Sequence, residues 1–204
     1  NWRYVEHSLA QKPLRPVIDG EPSYEAIPQG LHDPKEGFWK DNDVRRYAYW
    51  SVFVGSFGHT YGHSSIMQFL KPGVNPAYGA TKLWYEALKD PGFNQMQYLK
   101  KLILAFPFFE RVADQSCIAD NNGTKYERLI ATRGNDYMLV YNYTGRPMKI
   151  DLSKIHGKTK KAWWYSPRNA ELSYIGEFSS KVETFQPEGG HSNGNDWVLI
   201  LTDG

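Results

Sequence analysis

Apolar positions follow two different rhythms along the chain, and the change falls near residue 111. Upstream, helix-like and strand-like stretches alternate. Trp2 to Gln11 reads as the end of a helix that Lys12-Pro13 stops, because the residue before a proline is pushed out of the α region. Pro16-Val17-Ile18 reads as a short buried strand, punctuated by Gly20 and Pro22. Pro28 to Asp41 is a loop. Asp43 is placed to cap a helix running through Val44, Tyr47, Trp50 and Val54, with Gly55 as its stop. Ser56 to Tyr61 supplies a second short strand or strand end, Lys71 to Gly79 another loop, and Thr81 to Leu88 a helix stopped by Asp90-Pro91-Gly92. Asn94 then caps a last helix whose Met96, Leu99, Leu102 and Ile103 share one face.

Downstream of Phe106-Pro107 the period shortens to that of strands. Tyr126 to Ala131, Tyr137 to Tyr143, Met148 to Leu152, Lys161 to Tyr165, Lys181 to Phe185 and Trp197 to Leu201 are the expected strands. Turn residues separate them, among them Asn122-Gly123, Thr144-Gly145, His156-Gly157 and Asn193-Gly194. Short strands at this spacing predict an antiparallel β-sandwich of roughly seven strands in ~90–100 residues. The upstream part is α/β, but a closed eight-unit barrel takes ~250 residues, about 31 per βα unit, so it holds only about three such units. An open α/β layer is equally compatible with the periodicity.

Composition narrows the function classes. With 41% hydrophobic and 23% charged residues a packed core is expected. A net charge of +2 gives no case for a nucleic-acid partner. The one basic run, Lys158-Thr159-Lys160-Lys161, reads as a solvated hairpin cap. Cys117 is the single cysteine, which excludes an intrachain disulfide and a cysteine metal cluster. No apolar run reaches the ~18 residues of a membrane span. Seven Trp and fourteen Tyr lean towards saccharides, since flat apolar faces with polar edges suit sugar rings, although they also fill cores. The chain opens on Asn1 with no charged-then-apolar leader, and is read as a fragment.

The stretch Arg15-Pro16-Val17-Ile18-Asp19-Gly20-Glu21-Pro22-Ser23-Tyr24-Glu25 resembles the apiosidase-like glycoside hydrolases, bacterial enzymes on a retaining (β/α)8 barrel that are often labelled endoglucanases. The resemblance continues through Asp43-Val44-Arg45-Arg46 and Gly58-His59-Thr60-Tyr61-Gly62-His63. It resumes at Pro107-Phe108-Phe109, Asp114-Gln115, Ala131-Thr132-Arg133-Gly134, Trp163-Trp164-Tyr165-Ser166-Pro167-Arg168 and Asp196-Trp197-Val198-Leu199. It implies that residues 1–111 are the C-terminal βα units of a TIM barrel, and that residues 112–204 are the β domain labelled collagen-binding by analogy with part of a collagenase. The strand expected to carry the acid/base carboxylate is not among these residues. The implied substrate is a plant-type oligo- or polysaccharide, the implied location extracellular or periplasmic, and no cofactor is implied.

Retaining glycoside cleavage uses two carboxylates about 5–5.5 Å apart. The family pattern maps the nucleophile onto Glu21, at the end of the Pro16–Gly20 strand, with Glu25 in reserve. Asp19, two residues earlier, shares a strand face with Glu21 and either tunes it, holds a substrate hydroxyl or bonds a neighbouring loop. Tyr24 donates to a carboxylate or sugar, or wedges its loop. His59, Tyr61 and His63 are read as substrate contacts at the barrel mouth. A helical two-histidine metal site is ruled against by Gly58 and Gly62; His32 and Asp33 are the candidates for a third ligand, and no metal is expected. Alternation sends Trp163 and Tyr165 to one face of their strand and Trp164 to the other, at least one face being core.

Overall fold

Proline placement and polar caps decide where the helices of this chain begin. In the computed structural model, which describes all 204 residues, helix α1 (Trp2–Leu9) is followed by strand β1 (Ile18–Asp19), helix α2 (Asp41–Phe53) and strand β2 (Gly58–His59). Short helices α3 (Ser64–Met67) and α4 (Trp84–Ala87) lead to α5 (Pro91–Leu104). α2 starts two residues before the expected cap. Asp43 lies inside its first turn, where its carboxylate accepts the Lys40 N–H at 3.0 Å. Asp90-Pro91-Gly92 opens α5 rather than ending α4, because proline is pre-organised for the first helical position and its missing N–H would be unpaired there anyway. The expected apolar face of α5 holds: Leu99, Leu102 and Ile103 are buried and Met96 packs beside them.

β1 and β2 pair in parallel, Ile18 beside Gly58 and Asp19 beside His59, with α2 as the crossover of a βαβ unit. Each strand is only two residues long. Ile18, expected to be buried, is 49% exposed, because no third strand or helix covers that side of the pair.

The second half contributes β3 (Val112–Ala113), β4 (Ile130–Arg133), β5 (Tyr137–Asn142), β6 (Met148–Asp151), β7 (Lys160–Tyr165), β8 (Leu172–Phe178), β9 (Val182–Phe185) and β10 (Trp197–Asp203). Six of them form an antiparallel sheet in the order β3-β4-β5-β10-β7-β8, and β6 and β9 form a separate two-stranded one. The strand expected over Tyr126–Ala131 begins later, since Lys125–Glu127 make a 3-10 turn entered through Lys125 at φ +49. Lys160 is also displaced from its expected place in solvent. It starts β7, is 4% exposed, and its ammonium bonds the Gly157 carbonyl.

The large sheet is covered on both faces. One face, with Ile130, Leu139, Tyr141, Tyr165, Val198 and Ile200, packs on α2 and α5 in a shared core. The other, with Met138, Val140, Trp164, Leu199 and Leu201, packs on the β6–β9 pair. Trp163 and Tyr165 therefore join the first core and Trp164 the second, as strand alternation requires.

Two arginines of α2 bind the halves together. Arg45 lies almost fully buried, and its Nε and Nη2 each donate to a different oxygen of Asp196 at 2.9 Å. Its Nη1 donates to Gln95 at 2.6 Å and also to Asp41. Tyr141 and Arg168 complete the shell around Asp196 at 3.1 and 3.2 Å. Burial alone would lower the Arg45 pKa, but the Asp196 charge outweighs it and holds the guanidinium protonated. Arg46 is boxed by four aromatic rings, Tyr47, Trp50, Tyr126 and Tyr143, at 4.6–5.2 Å, with Asp43 at 2.8 Å.

Candidate functional site

The site is built where the parallel strands end. β1 stops at Asp19, and the buried Pro22 has no N–H to extend the ladder. Glu21, between them, is exposed on the rim of a concavity of about 420 Å³. Tyr24, Leu31, Trp39, Met67 and Tyr78 are among the residues that line it with Glu21. Tyr24 lies beside Glu21, whose carboxylate, with burial second, raises the tyrosine pKa. Tyr24 is held from behind by Gly62: a Cβ there would sit 2.4 Å from the ring.

The other candidates occupy different surroundings. Asp19 is half buried and its Oδ2 accepts from Asn1 at 2.7 Å and from Ser51 of α2. His59 Nδ1 lies 3.5 Å from the same oxygen. Burial would raise the Asp19 pKa, but the nearby His59 ring and the bonds from Ser51 and Asn1 prevail and push it down to about 2. His59 and Tyr61 line a second, apolar cavity of about 340 Å³ between β2 and α5, alongside Phe57, Met96, Leu99 and Phe108.

Glu25 is 5% exposed and accepts from the Tyr61 hydroxyl at 2.5 Å. Burial raises its pKa. Its carboxylate lies against Gly92, where any Cβ would sit 2.2 Å from Oε2, so the first turn of α5 is glycine for close approach. His63 is 1% exposed and both ring nitrogens are used: Nδ1 accepts the Ser65 N–H at 3.1 Å and Nε2 meets Asp90 at 3.0 Å. Glu21 and Tyr24 thus share the concavity, while Asp19, Glu25 and His63 spend their polar atoms inside the protein. No group of three or more His, Cys, Asp or Glu side chains is placed to hold a metal ion.

Sequence reasoning did not single out Leu31, Trp39, Met67 or Tyr78. They lie in or beside stretches recognisable only as Pro- and Gly-rich loop, and the unused signal was an aromatic or bulky apolar residue in each.

The depressed Asp19 pKa has a measurable consequence. The folded value lies below the ordinary one of ~3.9, so the stabilisation is complete above about pH 4 and is lost as pH falls towards 2. Asp19→Asn is expected to cost about 2 kcal/mol at neutral pH. The gap in urea midpoints between wild type and variant should close between about pH 4 and 2, whereas a gap independent of pH would contradict this reading.

Residues 1–110 match the family model described as "Apiosidase-like, catalytic domain" and residues 112–202 that described as "Putative collagen-binding domain of a collagenase". A solved structure described as a glycoside hydrolase is 68% identical, with a TM-score of 0.97, over 100% of this chain and 46% of its own. The crystal structure of a glycoside hydrolase family 5 protein from Bacteroides vulgatus is 66% identical, with a TM-score of 0.97, over 100% and 44%. Another glycoside hydrolase structure from the same organism is 14% identical with a TM-score of 0.57, over 93% and 36%, and shares the fold alone. The chain spans under half the length of these solved relatives. No curated protein matches it. No helix is long and apolar enough to cross a membrane.

Proposed function

The chain belongs to the apiosidase-like family of glycoside hydrolase catalytic domains, and on that premise we infer that residues 1–111 are the closing βα units of a (β/α)8 barrel completed by sequence outside these 204 residues. Support comes from the parallel β1–α2–β2 unit. It comes also from the apolar side chains left in solvent beside it, Ile18, Phe57 and Phe93, each about half exposed. An isolated parallel pair is otherwise a poor structure, since parallel sheets are normally covered on both faces.

The complete protein hydrolyses O-glycosidic bonds of plant-type oligo- or polysaccharide with retention, and Glu21 is its nucleophile. The observation that carries this is the Glu21 carboxylate on the rim of a concavity at the C-terminal end of a parallel strand, where barrel enzymes keep their catalytic groups. Glu21 attacks the anomeric carbon while a carboxylic acid from outside the chain gives its proton to the departing glycosidic oxygen. This leaves a glycosyl ester on Glu21 and a free alcohol. The same outside carboxylate then takes a proton from water, whose oxygen attacks the anomeric carbon and frees both sugar and Glu21. Tyr24, on the same lining as Glu21, donates to the nucleophile as it attacks. Glu25, Tyr61 and His63 hold the loops that form the mouth, while His59 stays beside Asp19 in the neighbouring apolar cavity. Such a substrate places the protein outside the cytoplasm, extracellular or periplasmic.

Residues 112–204 act as a brace for the barrel. Both faces of the large sheet are already covered, and the buried Arg45–Asp196 pair ties it to α2.

The test is the stereochemistry of the first product. The complete protein, incubated with branched pectic and other plant oligosaccharides and followed by NMR, should release a sugar of the same anomeric configuration as the bond cleaved; inversion, or cleavage of none of them, would refute the proposal. A finer test addresses Tyr24. Gly62→Ala should leave the fold intact but push the ring off Glu21, lowering kcat roughly 100-fold. Normal turnover in that variant would remove Tyr24 from the mechanism.

A further inference from the structure

The concavity beside Glu21 has a second feature that nucleophilic attack does not use: a wall of bulky side chains carried by two independently braced loops. The first loop folds back on itself. Ala26 N–H donates to the Trp39 carbonyl at 2.9 Å, Trp39 N–H to Ile27 at 3.0 Å, and Gln29 N–H to Gly37 at 2.9 Å, which fixes Trp39 against the cavity. The second loop is gripped by one amide. Gln68 Oε1 accepts the Ala77 N–H at 2.8 Å, and Gln68 Nε2 donates to the Ala77 carbonyl at 3.2 Å and to Ser64 at 2.8 Å. That grip places the next residue, Tyr78, on the same cavity lining.

Both loops carry backbone strain. Leu31 at φ +65 and Tyr78 at φ +50 are bulky residues in the left-handed region, a conformation that persists only where the surroundings over-determine it and that gathers at ligand sites. The Tyr78 ring is steadied by His32, with centroids 5.2 Å apart, yet Tyr78 stays 36% exposed, beside Met67 at 41% and Leu31 at 48%. Gln29, exposed on the same lining, supplies a polar edge.

We propose that the Trp39–Tyr78 wall is a saccharide subsite next to the bond cleaved at Glu21, so that the ligand is an oligosaccharide with a further ring stacked in this cavity. An aromatic face meets the C–H face of a sugar while the rim bonds its hydroxyls, and pre-braced walls lower the ordering cost of binding. Continuity with Glu21 in one cavity selects a saccharide over any other apolar occupant. The inference rests on the glycosidase reading for its meaning, but its test does not depend on turnover.

The complete protein carrying Glu21→Gln is presented with oligosaccharides of two to six sugars released from pectin, xylan and β-glucan. Binding of at least one is expected, and adding Tyr78→Ala should weaken it about tenfold or more. Tyr78→Leu, which keeps bulk and removes the ring, should weaken it equally. Binding unchanged by both variants, or binding of none of the oligosaccharides, overturns the subsite. If Glu21-dependent hydrolysis is found while both Tyr78 variants bind normally, the subsite fails and the nucleophile assignment stands.

Discussion

Glu21→Gln in the complete protein is expected to lower kcat by roughly 10³-fold or more while leaving KM and thermal stability nearly unchanged. The amide keeps the shape of the carboxylate but cannot form the glycosyl ester, so the loss falls on the chemical step. Stability should hold because Glu21 is exposed and has no buried partner to strand. Glu21→Ala adds a sharper expectation. The space it opens admits azide, whose terminal nitrogen can attack the anomeric carbon where the carboxylate did, giving a glycosyl azide and restoring part of the rate on substrates with good leaving groups. Wild-type turnover by Glu21→Gln, measured on a substrate the unmodified protein cleaves, would remove the nucleophile assignment.

Asp196→Ala is expected to destabilise the protein by about 3–5 kcal/mol, the typical cost of stranding one partner of a buried ion pair. Asp196 is 0% exposed and its two oxygens answer both Nε and Nη2 of Arg45, which is itself 1% exposed. Removing the carboxylate leaves a guanidinium in the shared core with only Asp41 and Gln95 on Nη1, and frees the Tyr141 hydroxyl. The double change Arg45→Met with Asp196→Leu should recover much of the loss, because two uncharged side chains of similar bulk need no hydration. Urea unfolding of the single and double variants measures both. A single-variant change under about 1 kcal/mol would show that the two halves are not joined through this pair.

Much of the scaffold could be read before the structure, because it depends on local patterns. The apolar face of α5 and the alternation of Trp163, Trp164 and Tyr165 follow from helical and strand periods alone. The ordered motifs from Arg15 to Asp196 carried the family resemblance, which residue spacing alone did not. What escaped depends on contacts distant in sequence or on position in the sheet. β8 was missed because it is an edge strand with Gly176 inside it and with Leu172 and Tyr174 more than half exposed, so it lacks a buried stripe. Arg45 and Asp196 are 151 residues apart and look like ordinary surface charges until the fold brings them together. Glu25 and His63 illustrate the same limit. Their residue types suit a sugar site, but burial against Gly92 and Asp90 is set by where α5 lands. The walls around Glu21 come from backbone hydrogen bonds and positive φ angles within loops, and no periodicity encodes these.

The account turns on Glu21 having an opposite number across a sugar-sized gap. The most direct measurement is the separation between the Glu21 carboxylate and the nearest catalytic carboxyl group in a crystal structure of the complete protein. A retaining pair predicts about 5–5.5 Å. A separation of about 6.5–9.5 Å, as in inverting enzymes, or no second carboxyl facing the cavity, would contradict it.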